Sequence, residues 1–238
     1  MTGRVVVARH GETLLNALGR VQGWCDSPLT ERGRAEAAAL GVSAGSIGAV
    51  FCADSGRHRE TAALAVPGVP ARIDERWREL AFGAYEGSSS TRLWRDLGRA
   101  RRASAAAEPG VGGVLESLAA LPGLIDHGTL PVESAVVLRA RARRAFEEAA
   151  AEASRHDVLV VTSGLTMLAL LAELGVSAAR FDGGVGNGAA VALVRRDGAW
   201  SVSPPVPARG TARAGERAAA ACARLPDASA CDAGTARR

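Results

Sequence analysis

Two short motifs place arginine and histidine side chains directly after predicted buried strands. The run VVVARHGE (5–12) puts Arg9 and His10 after an apolar stretch and before a glycine that can turn the chain. The run DSGRHRET (54–61) puts Arg57 at the start of a helix, where free N–H groups and the helix dipole favour an anion. Two guanidinium groups at neighbouring strand ends repel each other unless an anion joins them, and the planar fork of arginine suits phosphate. The motifs therefore predict a phosphate-binding site.

The elements that must position these side chains alternate along the chain between strands and helices. Strands are predicted at 5–8, 49–53 and 158–162, helices at 30–40, 56–66, 136–153 and 165–174, and a closing hairpin with an Asp-Gly turn at 189–202. Continuous apolar, β-branched runs are typical of strands covered on both faces. Thr30 is the expected N-cap of the first helix. The order predicts an α/β fold, a three-layer α/β/α sandwich with a mostly parallel central sheet.

One domain is predicted over residues 1–203, with two segments that do not fit the sheet pattern. Residues 88–132 mix an Arg-rich helix at 92–102 with Gly- and Pro-rich loops. We interpret this segment as a lid or insertion over the site; a surface insertion without a role is the alternative. Residues 204–238 are rich in Pro, Ala and Arg without periodicity, which predicts a disordered C-terminal tail.

Composition limits the function classes. The chain has 238 residues, 47% of them hydrophobic, which suits one globular domain with an additional lid or tail. A net charge of +4 is small for this length and does not indicate nucleic-acid binding, although it suits an anionic small substrate. The four cysteines show neither a CxxC pair nor metal-ligand spacing, so we predict no metal and no other cofactor.

No secretory or membrane segment is expected. The first residues contain too few apolar side chains for a secretory signal. The apolar run at 158–172 is divided by Thr162-Ser163-Gly164 and falls short of the roughly 20 residues that span a bilayer. We therefore expect a cytoplasmic protein whose partner is a small phosphorylated substrate, with no membrane and no nucleic acid involved.

Four motifs in order resemble those of the histidine phosphatase superfamily, the phosphoglycerate mutase-like proteins. They are RHGET (9–13), QGWCDSPLTERG (22–33), DSGRHRETA (54–62) and RELAFGAYEG (78–87). Their order and spacing match the family over residues 4–200. The resemblance implies an enzyme of the histidine phosphatase or phosphoglycerate mutase type.

The resemblance also implies a role for each site residue. His10 attacks phosphorus with one ring nitrogen to form a phosphohistidine, while a backbone carbonyl holds the other nitrogen. Arg9 and Arg57 hold the non-bridging oxygens and stabilise the transition state. Glu79 protonates the leaving oxygen and later activates water, the alternative being a surface glutamate without a role. The implied phosphate-binding residues are Asn16, Gln22, Gly23, Ser163 and Gly164. Glu86 is expected to give structural support.

Ser163 departs from the family's pattern. In the family the strand matching 158–162 ends in His-Gly, and that second histidine donates to the phosphoryl oxygens. Here the matching residue is Ser163, and none of the other histidines is an evident replacement. His58 adjoins Arg57 and could line the pocket, but it lies on a helix whose neighbouring residues face other ways. His127 lies in the predicted lid, from which it could reach in, and His156 lies at the opposite end of the strand, roughly 20 Å away.

Three functions remain open for such a site. Removing one preorganised donor from a transition-state pocket costs about 10²–10³ in rate, and a serine hydroxyl still donates a neutral hydrogen bond. We therefore predict a phosphomonoesterase acting on a small phosphorylated metabolite, weakened or respecialised by the loss of the second histidine. The alternatives are a phosphoglycerate or phosphosugar mutase and a non-catalytic phosphate-binding protein.

Overall fold

The structure is a computed structural model that describes residues 3–44, 47–103, 118, 131–181 and 184–203. The predicted tail at 204–238 and most of the predicted lid lie outside the described residues. The strands are β1 (Val5–Arg9), β2 (Ile47–Cys52), β3 (Ala71–Ile73), β4 (Asp157–Thr162), β5 (Ala190–Arg196) and β6 (Ala199–Val202). The helices are α1 (Leu14–Ala17), α2 (Glu31–Ala44), α3 (Gly56–Ala65), α4 (Ser90–Ala103), α5 (Ala135–Glu152) and α6 (Gly164–Glu173).

One six-stranded sheet has the order β3-β2-β4-β1-β5-β6. The first four strands in this order run parallel, β5 runs antiparallel to β1, and β6 runs antiparallel to β5 and so in the direction of the first four, which confirms the mostly parallel sheet. In the register of β1 against β4, Arg9 lies opposite Thr162. The carboxyl ends of β1, β4 and β2 therefore meet at one edge of the sheet, which is the edge where ligands bind in open α/β sheets.

Helices cover both faces of the sheet because its strands are apolar on both sides. Along β1, Val5 and Val7 belong to one buried cluster, together with apolar residues of α5 and α6. Val6 and Ala8 belong to another, together with apolar residues of α2 and α3. This arrangement confirms the three-layer α/β/α sandwich.

Helix α4 is the part of the predicted lid that the structure describes in most detail. Its Leu93 and Leu97 are buried in a separate cluster that includes Leu80 and Phe82 of the neighbouring loop and Leu138 of α5. The helix thus covers the chain segment that follows Glu79. Within the described residues, no helix is long and apolar enough to cross a membrane.

Two local features differ from the predicted elements. The sequence predicts hairpin strands at 189–194 and 199–202, but the turn contains only Asp197 and Gly198, both with positive φ (50° and 83°), so β5 continues to Arg196. A two-residue turn with two left-handed positions follows the twist of the flanking strands, which keeps pairing intact up to the turn. The short elements α1 and β3 were not predicted, because runs of three or four residues carry too little periodicity.

Candidate active site

His10 lies at the carboxyl end of β1 with its ring almost fully buried. Its backbone N–H donates to the Thr162 carbonyl of β4 (3.0 Å), and its side chain is 2% exposed. Its Nδ1 lies 2.8 Å from the Gly11 carbonyl oxygen. A carbonyl can only accept, so Nδ1 carries the proton of the neutral ring and Nε2 keeps a free lone pair. The imidazole is therefore held in the tautomer that a nucleophile requires.

Gly11 allows this turn to pack against the helices behind it. A Cβ at this position would lie 2.1 Å from the Gly33 carbonyl oxygen of α2. The Gly11 N–H donates to the Thr61 hydroxyl of α3 (3.1 Å). Thr30 caps α2 as predicted, since its hydroxyl accepts from the Gly33 N–H (3.0 Å). The loop after β1 is thus fixed to both helices on that face.

Two guanidinium groups lie beside this histidine, that of Arg57 fully buried and that of Arg9 partly buried. The Arg57 side chain, in the first turn of α3, is 0% exposed, and it donates to the carbonyls of Gly23 (2.7 Å) and Cys25 (2.9 Å) and to Asp26 (3.0 Å). Arg9 donates to the Val185 carbonyl (2.5 Å). Among the described residues, the Nε atom of each arginine is buried and has no hydrogen-bond partner. Two buried N–H donors without a protein partner favour an anion at this position.

The electrostatics keep His10 neutral. Burial, and then the neighbouring Arg57 and Arg9 charges, hold the pKa of His10 well below its usual value of 6.5, against a smaller opposing effect of the Gly11 carbonyl. Burial also lowers the pKa of Arg9, and the charge of Glu79 partly offsets this effect. A neutral imidazole between cations is available as a nucleophile at physiological pH.

The Glu79 carboxylate lies against the first turn of α6 and accepts hydrogen bonds from three backbone N–H groups, two of them in that turn. The donors are Leu80 (2.8 Å), Leu165 (2.9 Å) and Thr166 (3.2 Å). Its side chain is buried, with the whole residue 6% exposed, so the alternative of a surface glutamate is wrong. These bonds place the carboxylate at the same sheet edge as Ser163.

Arg141 of α5 fixes the backbone of this segment, a role that no sequence motif indicated. Its guanidinium donates to the carbonyls of Arg76 (2.8 Å), Arg78 (2.6 Å) and Glu79 (2.9 Å). It also forms a two-pronged, buried ion pair with Glu133 (2.6 and 2.7 Å). The segment that carries Glu79 is therefore held by a charge-assisted network.

Glu86 organises the loop that carries Gln22 and Gly23. Its carboxylate accepts from the N–H groups of Gly23 (3.0 Å), Trp24 (2.9 Å) and Cys25 (3.1 Å). A Cβ at Gly23 would lie 2.1 Å from the Leu80 carbonyl oxygen. This loop in turn supplies the carbonyls that hold Arg57.

Asn16 and Gln22 lie on the chain that leaves His10. The Thr13 hydroxyl donates to Gln22 Oε1 (2.6 Å), and Asn16 completes a capping box with Thr13 at the start of α1. Asn187, which sequence reasoning missed, donates to the Asn16 side chain (2.8 Å) and to the His10 carbonyl (3.3 Å). It joins the loop before β5 to the site.

The structure places His58, which the sequence did not identify as an evident replacement, beside Ser163. Ser163 and Gly164 follow β4 directly, and Ser163 Oγ lies 2.8 Å from His58 Nε2. The His58 ring is fully buried and lies edge-on to the His10 ring, with centroids 5.1 Å apart. Of its two neighbours on α3, Arg59 is exposed, whereas Arg57 is buried like His58. His156 lies before β4, at the far end of that strand as expected.

The predicted residues thus come together at one sheet edge. His10, Arg9, Ser163 and Gly164 follow neighbouring strands, and a Cβ at Gly164 would touch the Arg9 side chain (3.7 Å). Arg57 and Glu79 reach the same edge from helix and loop. Within the described ranges, no group of three or more His, Cys, Asp or Glu residues is placed to hold a metal ion.

Comparison with known proteins identifies the class of this site. The family model described as "Histidine phosphatase superfamily (branch 1)" matches residues 5–204 of this chain. The probable phosphoglycerate mutase GpmB of Erwinia tasmaniensis is 41% identical over 87 residues. That stretch is 35% of this chain and 40% of the relative, so the match spans less than half of the relative's length.

Two solved structures share the fold. A phosphoglycerate mutase from Bacillus anthracis str. Sterne superposes with a TM-score of 0.73 at 25% identity, covering 94% of this chain and 97% of that one. The alpha-ribazole phosphatase from Shigella flexneri gives a TM-score of 0.64 at 21% identity, covering 86% and 96%, and shows the fold alone. The fold is that of the phosphoglycerate mutase-like proteins. The chain belongs to the histidine phosphatase superfamily.

Proposed function

We propose that this protein is a phosphomonoesterase that hydrolyses a small phosphorylated metabolite through a phosphohistidine at His10. The arrangement around His10 carries the proposal: a buried, neutral imidazole with Nδ1 bound to a carbonyl lies beside the guanidinium groups of Arg9 and Arg57. Each guanidinium has an Nε without a partner among the described residues. A phosphoryl group supplies the oxygens that these donors lack.

The first chemical step transfers the phosphoryl group to the protein. His10 Nε2 attacks phosphorus, a P–N bond forms, and the P–O bond to the leaving group breaks. Arg9 and Arg57 stabilise the charge on the non-bridging oxygens. The leaving oxygen takes a proton from Glu79, and the dephosphorylated metabolite departs.

The second step releases inorganic phosphate. A water molecule attacks phosphorus, its proton passes to Glu79, and the P–N bond breaks. His10 returns to its neutral form with Nδ1 still bound to Gly11. Because the histidine keeps one tautomer throughout, no ring flip is needed between steps.

A mutase is the second candidate, and the likeness to phosphoglycerate mutases favours it. Mutase and phosphatase share the first step and differ in the acceptor of the second. A mutase returns the phosphoryl group to a hydroxyl of a bound metabolite, whereas a phosphatase gives it to water.

A panel of phosphorylated metabolites tests the proposal. We expect the wild-type protein to release inorganic phosphate from at least one small monoester and His10→Ala to release none above background. Transfer of labelled phosphate between two metabolites, without release, would support the mutase. Phosphate binding by the wild-type protein, without release or transfer from any metabolite, would leave a binding protein and contradict both reactions.

A further inference from the structure

The imidazole of His58 is a fully buried titratable group that the mechanism above does not use. The residue is 0% exposed and lies edge-on to His10, with ring centroids 5.1 Å apart and an interplanar angle of 84°. Each ring nitrogen faces a serine hydroxyl: Nε2 lies 2.8 Å from Ser163 Oγ, and Nδ1 lies 3.2 Å from Ser55 Oγ. Buried polar groups of this kind require a defined set of donors and acceptors.

Both serines are N-cap residues whose hydroxyls make no cap hydrogen bond. Ser55 precedes α3 and Ser163 precedes α6, and neither hydroxyl accepts a backbone N–H of the helix that it precedes. At α6, the Glu79 carboxylate takes the N–H groups of Leu165 and Thr166 instead. Serine at an N-cap ordinarily accepts from these positions. The two hydroxyls are therefore available to His58.

Ser163 lies next to the nucleophile. Arg9 is the register partner of Thr162 on the neighbouring parallel strand. His10 and Ser163 are the next residues of the two strands, so their backbones are separated by roughly the 4.8 Å spacing of paired strands. A phosphoryl group bonded to His10 lies within reach of a donor on that strand end.

The neutral state of the ring limits the two hydrogen bonds to two arrangements, one for each tautomer. Burial, then the charges of Arg57, His10 and Arg9, hold the pKa of His58 well below its usual value. A neutral imidazole has one donor and one acceptor. With the proton on Nε2, His58 donates to Ser163 Oγ, Ser55 donates to Nδ1, and the Ser163 proton is free for a ligand. With the proton on Nδ1 instead, the Ser163 hydroxyl would donate to Nε2 of His58, and its proton would not be free to bind an anion.

We propose that Ser55, His58 and Ser163 form a hydrogen-bond relay that directs the Ser163 proton at a phosphoryl oxygen, with His58 as a positioning residue. The inference rests on the proposed function. In this relay, His58 of α3 orients the Ser163 hydroxyl, and that hydroxyl is the hydrogen-bond donor at the carboxyl end of β4. Because each bond in the chain polarises the next, Ser163 is a stronger donor than an isolated hydroxyl.

A double-mutant cycle on p-nitrophenyl phosphate tests the relay. Ser163→Ala and His58→Phe should each lower kcat about 10- to 100-fold, the cost of losing a hydrogen bond to a charged group, with a smaller change in KM. The double variant should be no slower than Ser163→Ala alone, because both changes remove the same donor. His58→Gln, which keeps an N–H donor, should recover part of the loss. The relay is wrong if folded His58→Phe keeps wild-type kcat or if the two effects multiply.

Two measurements remain informative if the wild-type protein hydrolyses nothing, an outcome that would contradict the proposed function. Vanadate binding should weaken by a similar factor in Ser163→Ala and His58→Phe. In ¹⁵N NMR of the phosphate-bound wild-type protein, His58 should be neutral with its proton on Nε2. A proton on Nδ1, or vanadate affinity equal to wild type in both variants, would overturn the relay even where hydrolysis is observed.

Discussion

Mild acid should destabilise this protein because His10 and His58 are buried in neutral form. The pKa of each is held well below its usual value of 6.5, first by burial and then by neighbouring positive charge. The unfolded chain takes up protons near that usual value, whereas the folded chain does not. The stability that the neutral rings contribute is therefore fully present above about pH 7.5 and is lost as the pH falls.

The size of the effect follows from proton linkage. At about pH 5.5, one unit below the unfolded value, each imidazole lowers the free energy of unfolding by about 1.4 kcal/mol, and the pair lowers it by about 2.8 kcal/mol. The two rings lie edge-on with centroids 5.1 Å apart. Among the described residues, three carboxyl groups with a lowered pKa contribute mainly below about pH 5. They are Asp54, Asp96 and Glu152.

Urea unfolding between about pH 5.5 and 8 measures this linkage. A plot of the unfolding free energy against pH should have a slope of up to about 2.7 kcal/mol per pH unit at the acid end of this range, which corresponds to two protons taken up on unfolding. His58→Phe and His10→Asn should each remove about half of the slope, whatever they do to stability at pH 8. If the wild-type protein takes up less than one proton on unfolding, or if neither variant reduces the slope, then His10 and His58 are not both buried in neutral form.

Three further substitutions test the residues that hold the site. Arg57→Lys should lower kcat by about 100-fold or more, because lysine keeps the charge but cannot hold the loop carbonyls and a phosphoryl oxygen together; wild-type kinetics would contradict this. Glu133→Gln should lower the free energy of unfolding by about 3 kcal/mol, by leaving a buried guanidinium without its anion, and should lower kcat through Glu79; unchanged urea midpoints and kcat would contradict it. Ser163→His alone should cost about 1–3 kcal/mol of stability by overpacking against His58, whereas Ser163→His combined with His58→Ala should be faster than His58→Ala. A Ser163→His variant as stable as wild type, or a double variant no faster than His58→Ala, would show that the two side chains do not share this space.

The sheet and the positions of the main site residues could be predicted because local sequence determines them. The runs at 5–8 and 158–162 are apolar on both faces, and strands of this kind lie in the middle of a parallel sheet. His10 follows one of these strands, and Arg57 opens a helix. Each position is defined by the nearest strand end or helix start rather than by the whole fold.

His58 could not be placed because its role depends on how α3 enters the sheet edge. Successive helical residues point about 100° apart, so Arg57 and His58 share a site only where the first turn itself enters it. The buried partners Ser163 and His58 are 105 residues apart in sequence. Arg141 and Asn187 act on backbone carbonyls, which accept from any suitably placed donor and leave no pattern in the sequence.

Trapping the phosphorylated protein tests the central claim most directly. The wild-type protein is mixed with a substrate identified from the metabolite panel, denatured within milliseconds under alkaline conditions that preserve phosphohistidine, and mapped by mass spectrometry. We predict phosphate on His10, formed and lost at rates that account for turnover, and no trapped phosphate in His10→Ala. Turnover without a phosphorylated His10, or phosphate on another residue at the same rate, would contradict the mechanism proposed for this site.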